Sequence, residues 1–194
     1  MTIPPKCVSL FSIGCWRISR NQGYDDKLRT RREQYVSGIP LVFGPLFADK
    51  IGIMISYVDQ QLYIGEQADA ESPPAIITAV LWTALDIHLT QPPDILFARL
   101  PLKEYTEPDP IDLEMGITWL TRNLPEHHIL VACRAGFGRS PSIIITYFCC
   151  KLGLSFEEAQ DLVTQKRPGT TPLPCLASVI ENLKTKTATL SPNR

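Results

Sequence analysis

The segment Ile129–Phe148, ILVACRAGFGRSPSIIITYF, constrains this chain more than any other. Two apolar runs flank a single short loop that holds two glycines, opens at Cys133 and closes at Arg139. The first run, HILVAC, reads as a strand buried on both faces, because its apolar residues are continuous rather than alternating. The second, SPSIIITYFCCKLG, reads as a helix, with Pro141 near the first turn, where a missing N–H costs nothing, and Gly153 at its end. A buried strand that passes through a glycine loop into a helix is the unit of an α/β domain. Such domains bind ligands beyond the carboxyl ends of their strands, where Cys133 stands.

The rest of the chain agrees with this reading. IGIMISYV (51–58) and QLYIGEQ (61–67) are expected to be two short strands around a turn. AIITAV (75–80), after Pro73-Pro74, is expected to be a short helix, and WTALDIHL (82–89) and DILFARLPL (94–102) to be strands. IDLEMGITWLTRNL (111–124) has apolar residues at 113, 117, 120 and 124, a helical spacing. SFEEAQDLVTQK (155–166) opens with the capping-box pair Ser155 and Glu158. LPCLASVIENLKTK (173–186) supplies a last helix. The expected fold class is therefore α/β: a single domain over 51–186 with a central, mainly parallel sheet flanked by helices. Residues 1–50 are expected to be an extension, partly ordered at best, and 187–194 a frayed tail.

Composition narrows the function classes. No apolar run approaches the roughly 18 residues that read as a membrane span, and the net charge of −1 gives no global attraction to nucleic acid. The six cysteines (Cys7, Cys15, Cys133, Cys149, Cys150 and Cys175) include no C-x-x-C pair. That pattern favours a reducing, cytoplasmic setting in which buried cysteines are small apolar residues and an unusual one is catalytic. An organelle-targeting role for the basic, acid-poor first 30 residues stays open, and so does the oligomeric state. Cys149 and Cys150, inside an apolar helix, are expected in the core.

The loop itself combines three devices. Gly136 and Gly138 let successive N–H groups turn inward as an anion-binding nest at a helix N-terminus. Arg139 adds a planar fork matched to two phosphate oxygens. The same positive surroundings favour the thiolate of Cys133, the nucleophilic form of the side chain. Together they suit attack on phosphorus by sulfur. Backbone donors from Arg134, Ala135, Gly136, Phe137 and Gly138, together with Arg139, would hold the phosphate. A general acid would protonate the leaving group, and Ser140 would assist departure of the sulfur. Neither metal nor other cofactor is called for.

CRAGFGRS resembles the Cys-x5-Arg-Ser signature of the protein tyrosine phosphatase superfamily, more closely its dual-specificity branch. QLYIGEQADA (61–70), RLPLKE (99–104), GRSPSIIITYF (138–148) and LSFEEAQDLVTQKRP (154–168) resemble further segments of that branch, in the same order. The resemblance covers about residues 50–185. It implies a small α/β phosphatase acting on phosphorylated proteins. Two departures stand out. The family's usual histidine before the nucleophile is Ala132 here, which implies slower turnover. The position of its acidic aspartate holds Glu104, with Asp109 the next candidate and Glu107 and Asp112 nearby. Two alternatives remain open: a weakly active pseudo-phosphatase that binds phosphorylated partners, and the same chemistry on a phosphoinositide, sugar phosphate or RNA 5′ phosphate. Arg134 either extends the positive field to the pocket mouth or points to solvent. Phe137 either flanks a substrate ring or packs under the loop. Lys166-Arg167 either contacts substrate or opposes a helix dipole, the simpler account. His127 and His128 are expected on the surface, and His88 in a strand.

Overall fold

A computed structural model describes residues 55–59 and 61–189. The extension 1–50, with Cys7 and Cys15, lies outside these residues, as do 51–54 of the first expected strand and 190–194 of the tail. Five strands form one sheet among the described residues: β1 (Ser56–Asp59), β2 (Leu62–Gly65), β3 (Ala79–Trp82), β4 (Leu96–Arg99) and β5 (Ile129–Ala132). Their order is β1-β2-β5-β3-β4. Only the β1–β2 pair is antiparallel; β2–β5, β5–β3 and β3–β4 are parallel. This is the mixed, mainly parallel α/β sheet implied by alternating strands and helices.

The helices are α1 (Gln67–Glu71), α2 (Pro110–Asn123), α3 (Arg139–Tyr147), α4 (Phe156–Lys166) and α5 (Leu176–Thr189). Local chemistry starts and stops them. Asp109 caps α2, its side chain accepting from the N–H of Ile111, and Pro110 takes the first helical position. Ser155 and Glu158 close a reciprocal capping box on α4. α3 continues into a π-helical turn, Phe148–Leu152, that ends at Gly153 in the left-handed region (φ 70°). α5 runs on to Thr189, past the point where the tail was expected to begin.

Alternate strand residues feed two cores. Leu62, Ile64, Ala79, Leu81, Ile129 and Val131 face the larger helical layer, while Tyr63, Val80, Trp82, Leu130 and Ala132 pack against Ala70, Ile77 and Leu89 on the other side. Parallel strands need crossovers: α1 lies between β2 and β3 and α2 between β4 and β5, while β3 passes to β4 through the helix-free segment 83–95.

Two segments depart from their expected form, AIITAV and the expected strand WTALDIHL. AIITAV is not a helix: its last two residues begin β3, which continues only to Trp82. All four side chains of β3 are buried and both its edges are paired, to β5 and to β4. Complete burial of a large apolar side chain stabilises by about 1.5–3 kcal/mol. Helix propensities among ordinary residues differ by no more than about 0.7 kcal/mol. The tertiary slot therefore decides. The remainder of WTALDIHL is loop, and His88 is exposed within it. No helix among the described residues is long and apolar enough to cross a membrane.

Candidate active site

The three central parallel strands end abreast: Gly65 and Trp82 both pair with Ala132. Cys133 is the first residue past that line and α3 begins six residues later. Its Sγ is buried, 3.3 Å from the Ser140 hydroxyl and 3.3 Å from the N–H of Gly136, which donates to it. The sulfur thus stands in the mouth of a helix whose first N–H groups have no intrahelical acceptor.

Four carbonyls of the loop are held from outside. Arg134 O accepts from Gln67 N (3.2 Å), Ala135 O from Arg167 Nη2 (3.3 Å), Phe137 O from Thr171 N (2.8 Å), and Gly138 O from Ser142 Oγ (2.8 Å). With its carbonyls drawn outward, the loop presents amide hydrogens inward, which is the arrangement of an anion nest. Gly136 has φ +74°, and a Cβ there would sit 2.8 Å from the Gly65 carbonyl oxygen and 2.7 Å from Arg167 Nη2. Only glycine passes this close.

Arg139 belongs to the interior. Its side chain is 1% exposed, with Nη1 on the Asp86 carboxylate and Nη2 3.3 Å from Glu104 Oε2. Its Nε is buried and has no protein partner. A buried, unpaired charged donor is costly, so this atom is suited to an incoming oxygen. At Asp86, desolvation pushes the carboxyl up. Hydrogen bonds from Arg139 and from the backbone, with the charges of Arg139 and Arg134, outweigh it and hold the carboxyl below its usual value.

Of the expected site residues, Cys133, Ser140, Arg139 and Glu104 are brought together. Asp109 is engaged as the cap of α2, accepting from Ile111 N at 2.8 Å. The neighbouring Asp112 carboxyl is pushed up by its own burial and, second, by the charge of Asp109. Arg134 is exposed at the loop's outer edge, and Phe137 is 38% exposed at its crest. His127 and His128 are half-buried, beside Thr78 and Tyr63 respectively. Cys149 is buried and Cys150 half-buried against the main core.

Three residues were not foreseen in these roles. Asp86 reaches Arg139 from a loop 53 positions away. Thr83 donates to the Ala132 carbonyl from both its N–H (2.8 Å) and its Oγ1 (3.0 Å), tying off the carbonyl next to Cys133. Arg167, the C-cap residue of α4, turns back toward the loop. It is 4% exposed, lies 4.9 Å over the Phe137 ring and braces the back of the loop at Ala135. The signal that Arg167 turns back was present in Pro168-Gly169, which end α4.

Comparison with known proteins agrees with this fold. The family model "Dual specificity phosphatase, catalytic domain" matches residues 62–184. A relative from Arabidopsis thaliana, "Dual specificity protein phosphatase 1B", is 25% identical over 67% of this chain and 81% of its own length. Among solved structures, human DUSP28 superposes with a TM-score of 0.61 at 21% identity, covering 69% of this chain and 95% of its own. Tk-PTP in its active form gives 0.60 at 20% identity, covering 68% and 97%. These structures share the fold.

Proposed function

The chain belongs to the dual specificity phosphatase catalytic-domain family, and from that membership we propose that it hydrolyses phosphotyrosine, and phosphoserine or phosphothreonine, in proteins through a phosphocysteine. One observation carries the reading. The Cys133 sulfur is seated between the Ser140 hydroxyl and the Gly136 N–H, in a loop whose closing arginine is buried with one donor unused.

The steps follow from these positions. The substrate phosphate lies in the nest, its equatorial oxygens on inward N–H groups and on Arg139. The Cys133 thiolate attacks phosphorus in line, the S–P bond forms and the ester P–O bond breaks. The leaving oxygen takes a proton from Glu104. Water then gives a proton to the Glu104 carboxylate and attacks phosphorus, and the S–P bond breaks to return the thiolate, which the Ser140 hydroxyl stabilises. Charge spread over the equatorial oxygens is what the nest and guanidinium meet in both transition states.

The test is a phosphopeptide panel with pre-steady-state kinetics. Wild type should release a burst of phenol from an aryl phosphate and turn over with EDTA present, and Cys133→Ser should do neither. Glu104→Gln should slow poor leaving groups far more than activated aryl phosphates, by a general-acid contribution of roughly 10²–10⁴-fold. Asp109→Ala should instead cost about 1 kcal/mol of stability as a lost helix cap. A wild type inert toward every phosphate ester across roughly pH 5–8, where a general acid of this kind operates, would sink the proposal.

A further inference from the structure

We propose that Asp86 is the positioning residue of the phosphate-binding arginine, holding the edge of Arg139 that faces away from substrate. The inference rests on the reading of Arg139 as the phosphate ligand and assigns the group that orients it. A guanidinium on a flexible stem gives up rotamer freedom when its plane is fixed. A bidentate contact forms only if the plane is already set.

The division of donors on Arg139 is specific. Nε and Nη2 lie along one edge of a guanidinium, and Nη1 points the other way. Asp86 holds Nη1, Glu104 touches Nη2, and Nε is unpartnered. When phosphate arrives, Glu104 moves to the leaving oxygen and Nη2 is freed. Nε and Nη2 then present two parallel donors to two oxygens, while Asp86 keeps Nη1 and fixes the plane.

The segment carrying Asp86 is built to stay in place. Thr83 is tied twice to the Ala132 carbonyl, Leu85 N donates to Leu102 O (3.3 Å), and the Trp82 indole N–H donates to Ile87 O (3.2 Å). One loop is therefore fastened to the nucleophile's strand and to the segment leading to Glu104, with Asp86 between the fastenings. The Asp86 side chain is 52% exposed on its far side, so substitution leaves the core intact.

A competing role makes the opposite prediction. If Asp86 merely occupied the pocket as an anion, its removal would strengthen anion binding. The experiment is calorimetric binding of tungstate to the full chain, run beside aryl phosphate kinetics, for wild type, Asp86→Asn, Asp86→Ala and Asp86→Glu. Loss of the set plane should raise both the tungstate Kd and KM about tenfold to a hundredfold in Asp86→Asn and Asp86→Ala. The melting temperature should stay close to wild type in Asp86→Asn, which keeps an oxygen for Nη1, and fall in Asp86→Ala, which strands that buried donor; Asp86→Glu should recover part of the loss in binding. Unchanged or tighter tungstate binding in Asp86→Ala overturns the assignment while leaving the phosphatase reading intact. A wild type that binds tungstate in an Asp86-dependent way but hydrolyses nothing overturns that reading and leaves the assignment standing. A wild type that binds no tungstate overturns both.

Discussion

Substituting Gly136 by alanine puts the loop geometry to a quantitative test. The residue has φ +74°, a region that costs an ordinary L-residue about 1–2 kcal/mol. The new Cβ would also meet Gly65 O at 2.8 Å and Arg167 Nη2 at 2.7 Å, where ordinary contact begins at 3.4 Å. Gly65 is paired to Ala132 in the β2–β5 ladder, so that oxygen cannot retreat. Relief of such overpacking adds about 1–3 kcal/mol. The two effects together make about 2–5 kcal/mol, or a Tm lower by about 4–20 °C for a domain of this size. The loop must yield by more than half an ångström, and it takes with it the Gly136 N–H that donates to Cys133 Sγ. A misplacement of about 1 Å can cost a hundredfold, so kcat/KM should fall at least about tenfold. The assay is a thermal melt paired with aryl phosphate kinetics. Gly138→Ala is the stability control, since its Cβ would meet only Thr171 O at 3.5 Å, and it should melt close to wild type. A Gly136→Ala protein with wild-type Tm and kcat/KM would refute the packing argument outright.

Two further expectations follow from the loop's surroundings. Arg167→Ala removes a desolvated cation from the Phe137 ring and releases the Ala135 carbonyl. The cation–ring contact accounts for about 2 kcal/mol, and the hydrogen bond to the carbonyl of the exposed Ala135 for about 0.5–1.5 kcal/mol. Paired melts and kinetics should show stability and kcat/KM falling together, with Arg167→Lys intermediate because it keeps the charge but not the fork. Burial pushes the Cys149 thiol up to about 12 from 9.0. The folded state holds that proton after the unfolded chain has released it, so its contribution is complete below pH 9 and is lost as pH rises toward about 12. Urea midpoints measured between those limits should decline less steeply in Cys149→Ala.

What could be read from sequence was what neighbouring residues decide. The Cys133–Arg139 loop, the Ser155–Glu158 cap and the period of α2 each depend on residues a few positions apart, and each shows as local pattern. The β3 segment did not, because a short apolar run fits strand or helix alike until its neighbours are known. Asp86 was invisible for the same reason. Nothing near it in the chain distinguishes it from a solvated loop carboxylate, and its partner lies 53 positions on. Arg167 sat in a recognised Lys-Arg pair, yet only the folded chain shows that one of the two is buried and the other exposed. Glu104 and Asp109 lie in one loop, and only the folded chain shows the first against Arg139 and the second capping α2.

The alignment of strand ends has a consequence for how the site is assembled. Gly65, Ala132, Trp82 and Arg99 stand in one row across the ladder, and Cys133, the loop carrying Asp86 and the segment leading to Glu104 all begin just past it. A one-residue slip of β3 would displace Asp86 by about 3.3 Å. It would also turn Val80 and Trp82 toward the wrong core. A misaligned chain would therefore lose the packing of Val80 and Trp82 and the placement of Asp86 at the same stroke. Sheet formation acts as the proofreading step of the active site.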